Sequence, residues 1–76
     1  MLPKPCALAI AGLDPSGGAG ILADTRAFAA ASVWGCAAVT VVTVQSTAGL
    51  RSAHPVDQRT LIRQVGETMP DAFRRV

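Results

Sequence analysis

A chain of 76 residues holds at most one small domain, and a domain of that size buries only about 60% of the surface it exposes when unfolded. Half of its residues are hydrophobic and only 16% are charged, which points to elements meant to be covered on both faces. The net charge of +2 and an aromatic set of Phe28, Trp34 and Phe73 exclude the basic surface and stacking platform of a nucleic-acid binder.

The N-terminal "MLPKPCALAIAG" has a lysine, an apolar run and an Ala9-Ile10-Ala11 triplet in the manner of a secretory signal. Its apolar run is only about six residues against the usual 7–15, and Pro5 interrupts the approach. No segment reaches the roughly 18 apolar residues of a membrane span, so no membrane partner and a cytoplasmic location are expected. Cys6 to Ala11, "CALAIA", is a short apolar run between Pro5 and Gly12 and predicts a buried strand. Four of the seven glycines then fall within nine positions, in "AIAGLDPSGGAGILAD" from Ala9 to Asp24. Ile21 to Ser32 is alanine-rich, with Ile21, Leu22, Thr25, Phe28 and Ala31 near helical spacing and Gly35 beyond its end.

Cys36 to Gln45, "CAAVTVVTVQ", is β-branched almost throughout and predicts a central strand of a parallel sheet. "STAGLRSAHP" predicts a loop or short extended excursion, with His54, the single histidine, as a surface residue. Asp57 to Met69 predicts a second helix with Asp57 as N-cap or first-turn residue, a buried stripe of Leu61, Ile62, Val65 and Met69, and Pro70 ending it. Arg59, Arg63, Arg74 and Arg75 read as a solvated helix face. Cys6 and Cys36, thirty positions apart without a metal-ligand pattern, read as buried, reduced residues. The order is β-α-β-(loop)-α. Two parallel strands cannot cover the faces this sequence leaves apolar, so an N-terminal piece of a larger α/β enzyme is expected. An intact small module closed by dimerisation is the alternative.

The glycine loop admits three chemistries. Gly12 and Gly17 have the separation of a phosphate-binding G-x-x-x-x-G-K-[ST] loop, but Gly18 and Ala19 stand where lysine and the metal-binding hydroxyl belong. Gly18, Gly20 and Ala23 match G-x-G-x-x-A, yet the second strand ends at Gln45 with no carboxylate for a ribose. The third reading is a small-molecule pocket at the carboxyl ends of the strands, where backbone approaches a flat ligand closely. There Asp24 would lie in the first turn of the helix, and the Gln45 amide would offer an acceptor and two donors in one plane. Asp14-Pro15-Ser16 reads as turn chemistry, since no base accompanies Ser16.

"LAIAGLDPSGGAGILAD" followed by "FAAASVWGCAAVTVVTVQST" resembles the N-terminus of the hydroxymethylpyrimidine/phosphomethylpyrimidine kinases of thiamine biosynthesis, members of the ribokinase-like superfamily. The likeness fades after about Asp57. It implies a three-layer α-β-α fold, of which residues 1–76 would be the N-terminal β-α-β-α part of a single kinase domain. It also implies that Gly12 and Ala19 line the pyrimidine pocket, that Asp24 hydrogen-bonds the substrate, and that Gln45, with Thr43 nearby, reads the ring edge. Leu13 departs from the family's frequent Ser or Thr, and Ser46 from its common Asn. The implied activity is ATP-dependent phosphorylation of 4-amino-5-hydroxymethyl-2-methylpyrimidine and of its monophosphate. In the family the ATP and Mg²⁺ contacts and catalytic groups lie in the C-terminal part, so no catalytic or metal-binding residue is expected in this chain. A small pyrimidine substrate is the expected partner, and a homodimer is compatible with the reading. A non-catalytic α/β binding or assembly module and a dinucleotide-binding fragment remain as alternatives.

Overall fold

The computed structural model describes residues 5–75, with side chains described over residues 5–70. The elements are β1 (Cys6–Leu13), α1 (Gly20–Ala30), β2 (Trp34–Ser46), β3 (Gly49–Pro55) and α2 (Gln58–Arg75). They build a three-stranded sheet in the order β1-β2-β3, with β1 parallel to β2 and β3 antiparallel to it. The β-α-β crossover is as expected from the sequence, but the excursion after Gln45 is a true strand. Ser46 pairs with Gly49 across a tight turn in which the Ala48 N–H donates to the Ser46 hydroxyl at 3.1 Å. His54 therefore lies on β3, exposed, its Nε2 within 3.1 Å of the Ser52 hydroxyl.

Paired residues share a face of a sheet. The register therefore sets Ala7, Ala9 and Ala11 beside Gly35, Ala37 and Val39 on one face. Helix α1 covers that face near Gly35, where a Cβ would lie 2.9 Å from Phe28 and 3.6 Å from Thr25. Small residues let helix and sheet approach closely. Among the described residues the buried apolar positions are Ala9, Ile21 and Ala38. Much of the other apolar surface stays open, with Ile10 55%, Leu50 62% and Ile62 61% exposed.

Helix α2 starts as its sequence predicts. The Asp57 carboxylate accepts from the Thr60 N–H at 3.0 Å and the Thr60 hydroxyl at 2.6 Å, while the Asp57 carbonyl accepts the Leu61 N–H. Pro70 does not end the helix, which continues to Arg75. Nothing in the described residues explains how the helix accommodates this proline. The expected stripe is only half realised, for Leu61 and Val65 are half-buried while Ile62 and Met69 are exposed. Arg59 and Arg63 are exposed as expected; the side chains of Phe73, Arg74 and Arg75 lie outside the described residues. Cys6 and Cys36 are not joined in a disulfide, and they are half-buried rather than buried.

Helix α2 is tied to the sheet by a side chain that acts as a peptide group. Val56 extends the β3 ladder by donating to the Thr40 carbonyl at 2.9 Å. One residue further down β2, the Gln64 amide takes over. Its Oε1 accepts the Val39 N–H at 2.9 Å and its Nε2 donates to the Val39 carbonyl at 3.0 Å. Replacing Gln64 by Ala removes both bonds and leaves a strand edge unpaired. The expected loss is about 1–3 kcal/mol in urea denaturation, with loss of hydrogen-exchange protection at the Val39 amide.

Candidate functional site

The loop after β1 is closed at its base by an isolated antiparallel bridge between Leu13 and Gly20. Within it Asp14-Pro15-Ser16-Gly17 forms a turn, the Gly17 N–H donating to the Asp14 carbonyl at 3.0 Å. The Asp14 carboxylate accepts from the Ser16 N–H at 2.9 Å and from its hydroxyl at 2.7 Å. Arg26, on α1, donates from Nη2 to the Gly17 carbonyl and lies over that buried glycine. This latch was not foreseen in the sequence. Its signal is a long basic side chain one turn and a half into the helix that the loop feeds.

The loop carries one carboxylate, Asp14, and one guanidinium, Arg26. The Ser16 hydroxyl, then the Ser16 N–H, hold the Asp14 carboxyl below its usual value of 3.8, with smaller help from the Ala19 and Gly18 N–H groups. The amides leading into α1 thus already face a carboxylate. A phosphate placed there would meet this carboxylate beside the already engaged Arg26, and neither the lysine and hydroxyl of the G-x-x-x-x-G-K-[ST] reading nor a ribose carboxylate after β2 for the G-x-G-x-x-A reading is present. Ala19 occupies the N-cap position in extended conformation (φ −153°) and offers no side-chain cap. Asp24 is not in the first turn, contrary to the sequence reading, because α1 begins at Gly20. It stands about 6 Å along the helix from Gly20, half-buried, with no hydrogen bond or ion pair among the described residues.

Thr43 and Gln45 are set by a bulge. Ala11 pairs with Val39 but Leu13 pairs with Val42, so β2 carries one residue more than β1 across this interval. The extra residue moves Val41, Thr43 and Gln45 to the face that carries Gly12. Gly12 permits it, for a Cβ there would lie 2.7 Å from Val41 Cγ1. The Thr43 hydroxyl donates to the Leu13 carbonyl at 2.9 Å and accepts from Gln45 Nε2 at 2.6 Å. A carbonyl can only accept, so the polarity of this relay is fixed, and with it the orientation of the Gln45 amide. Its Oε1 and second N–H point away from the relay. The structure therefore brings Gly12, Thr43 and Gln45 together, and places Ala19 next to Gly20, whose Cα abuts the Gly12 carbonyl. Asp24, on α1, is not joined to this cluster by any hydrogen bond among the described residues.

A groove of about 510 Å³ between α2 and β2 is lined by Ala37, Thr60, Arg63, Gln64, Glu67 and Thr68 and contains none of these residues. Its walls carry the Gln64 tie, which gives them a structural account. Among the described residues no group of His, Cys, Asp and Glu could hold a metal ion, and no helix is long and apolar enough to cross a membrane.

The sequence profile described as phosphomethylpyrimidine kinase matches residues 14–74. The chain belongs to the phosphomethylpyrimidine kinase family. It is 45% identical over 72 residues to the hydroxymethylpyrimidine/phosphomethylpyrimidine kinase of Bacillus subtilis, covering 90% of this chain and 27% of that protein. The crystal structure of phosphomethylpyrimidine kinase from Clostridium difficile superposes with a TM-score of 0.85 at 35% identity, over 90% of this chain and 29% of that one. Pyridoxal kinase from Staphylococcus aureus, solved in complex with pyridoxal, gives a TM-score of 0.79 at 25% identity, over 90% and 26%. The fold is ribokinase-like. The chain spans about a quarter of the length of these relatives. Ala19, Asp24, Thr43 and Gln45 fall within the residues matched to the family, and Gly12 just before them.

In this family member the loop should have an acid limit. Asp14 and Asp57 are both held below 3.8 by hydrogen bonds, first from the Ser16 and Thr60 hydroxyls respectively. A carboxyl with a depressed folded pKa contributes stability that is complete above its unfolded value and is lost as pH falls through the folded one. Melting temperature is therefore expected to be insensitive to these groups from pH 5 to 8 and to fall below about pH 4. Asp14→Asn keeps the turn acceptor and removes the charge, so its acid limb should be shallower in the same pH series of thermal melts.

Proposed function

We propose that this chain forms the substrate side of a pocket for 4-amino-5-hydroxymethyl-2-methylpyrimidine and its phosphate, in an enzyme that phosphorylates both with ATP. The observation that carries the reading is the relay from the Leu13 carbonyl through Thr43 to Gln45. It spends one amide N–H and leaves a carbonyl oxygen and a second N–H in one plane. Those two groups complement an aminopyrimidine edge, the oxygen accepting from the ring amino group and the N–H donating to the adjacent ring nitrogen. Thr43 then acts through Gln45, its own hydroxyl proton being committed to Leu13. Asp24, with a half-buried carboxylate that nothing in the described chain engages, accepts a hydrogen bond from the substrate. Gly12 and Ala19 let the ring lie close to the backbone. Family membership supports the same substrate class.

The transferring phosphoryl group needs positive charge and positioned donors. The loop described above has a carboxylate, Asp14, and a single cation, Arg26, already engaged by the Gly17 carbonyl, so ATP and Mg²⁺ are assigned to regions of the kinase domain that the matched quarter does not include. Staphylococcus aureus pyridoxal kinase, solved also with ADP, supports nucleotide use by the fold. No catalytic residue is assigned in these 76 residues, and the chain is read as part of one ribokinase-like domain, supported by its exposed Ile10, Leu50 and Ile62.

Two preparations test this. The 76-residue chain with hydroxymethylpyrimidine, ATP and Mg²⁺ is expected to give no product, and product above a blank would count against the reading. The same residues exchanged for the matching part of the Bacillus subtilis relative are expected to give an active kinase. In that chimera Gln45→Leu should raise KM for the pyrimidine about tenfold or more while KM for ATP stays within about twofold, since the lost pairing involves the ring alone. A folded but inactive chimera, or an unchanged pyrimidine KM in the variant, would refute the pocket.

A further inference from the structure

We infer that Thr43 sets the choice between amino- and oxo-pyrimidines: by holding the Gln45 amide with its oxygen unengaged, it favours a ring with a 4-amino group and rejects the 4-oxo counterpart. This rests on the pyrimidine-pocket reading and adds to it a selectivity and the positioning residue that imposes it.

The relay has a fixed count of protons. The Thr43 hydroxyl lies 2.9 Å from the Leu13 carbonyl and 2.6 Å from Gln45 Nε2. A threonine hydroxyl has one proton, and a carbonyl can only accept it. With that proton given to Leu13, the Thr43 oxygen needs a donor, and only the NH2 end of the Gln45 amide supplies one. Turning the amide over would leave a single proton for two contacts, so one of them would set oxygen against oxygen. Thr43 and Gln45 are both half-buried, where a lost hydrogen bond is poorly replaced by water. The anchors are themselves fixed. Leu13 pairs with Val42 and is bridged to Gly20, and Thr43 pairs with Ala53. The branched Thr43 side chain has few other rotamers to adopt.

Among the described residues the Gln45 oxygen makes no hydrogen bond, and it is not shut away from solvent. It is an acceptor with a donor N–H beside it in one plane. A 4-aminopyrimidine presents the complement, an amino donor next to a ring-nitrogen acceptor. A 4-oxopyrimidine presents the reverse, a carbonyl next to a ring N–H. Acceptor then meets acceptor and donor meets donor unless the amide turns over, and Thr43 opposes that turn.

The Bacillus subtilis chimera is assayed with 4-amino-5-hydroxymethyl-2-methylpyrimidine and with its 4-oxo counterpart, unsubstituted and as Thr43→Val and Thr43→Ser. The unsubstituted chimera should favour the amino compound about a hundredfold or more in kcat/KM. Valine keeps the branched shape without the hydroxyl, so both amide orientations become accessible. Halving the competent population raises KM for the amino compound about twofold. The oxo compound should instead gain about tenfold or more in kcat/KM, which a loss of packing would not produce. Thr43→Ser retains the hydroxyl and should retain the preference. No gain for the oxo compound in Thr43→Val, loss of the preference in Thr43→Ser, or an unsubstituted chimera that takes both compounds equally overturns the inference while leaving the pocket standing. An unsubstituted chimera that folds but binds neither pyrimidine overturns both.

Discussion

At the carboxyl end of β1 the chain turns back and presses the start of α1 against the strand it has just left. Gly20 sits at φ +66° with its Cα against the Gly12 carbonyl, and the Leu13–Gly20 bridge closes the loop beneath it. Ile21 follows directly and is buried, so the helix is committed to the sheet from its first turn. Gly35 does the corresponding service at the far end, letting Phe28 and Thr25 settle onto the beginning of β2. A helix held at both ends by glycine contacts has little freedom to slide or tilt. The loop between Leu13 and Gly20 is consequently short, and its internal turn and the Arg26 latch are accommodated within fixed ends.

The same close approach has an electrostatic result. Helix α1 has no Ser, Thr, Asp or Asn at its N-cap, and just before it the Asp14 carboxylate, oriented by Ser16, lies near the Gly18 and Ala19 amides. The one cation of this loop, Arg26, is engaged by the Gly17 carbonyl. On the other side of the cleft the bulge in β2 delivers Thr43 and Gln45 to the face of Gly12, and the Leu13 carbonyl dictates the direction of the relay they form.

Much of this could be read before any coordinates. The apolar run at Cys6, the alanine-rich stretch after Gly20 and the β-branched run to Gln45 each became the element their pattern predicts, and Asp57 caps α2 as its position suggested. The turn chemistry of Asp14-Pro15-Ser16 was also legible, because those residue types make few other structures at that spacing. Other features were not. β3 has no Asn-Gly or Asp-Gly turn before it and little β-branching in "GLRSAHP", so its pairing comes from the exposed edge of β2 and the Ser46 hydroxyl. The bulge hides in a uniform run of Val and Thr, where nothing local marks an extra residue. Gln64 looks like any surface glutamine until Val39 is beside it. Pro70 shows the converse failure, a strong local signal overridden within a helix that continues to Arg75. In the candidate site, the residue types and the strand-end location were readable, while the orientation of the Gln45 amide and the second-turn placement of Asp24 required the fold.

The glycine-rich stretch therefore carries two messages in one string. Asp14, Pro15, Ser16, Gly17 and Gly20 answer chiefly to one another and to Gly12 and Arg26, and would be needed to form this loop whatever the site held. Ala19, Asp24 and Gln45 have groups or surfaces that the chain leaves unused. A motif match made mostly by the first set reports a way of joining strand to helix, and a fold can share it across ligands of different shape. Discrimination has to come from the second set, where geometry leaves a donor, an acceptor or a carboxylate unengaged. Damage at Gly20 would accordingly appear as lost structure with binding lost in consequence. Damage at Gln45 would spare the fold and, in the proposed pocket, act on the ring.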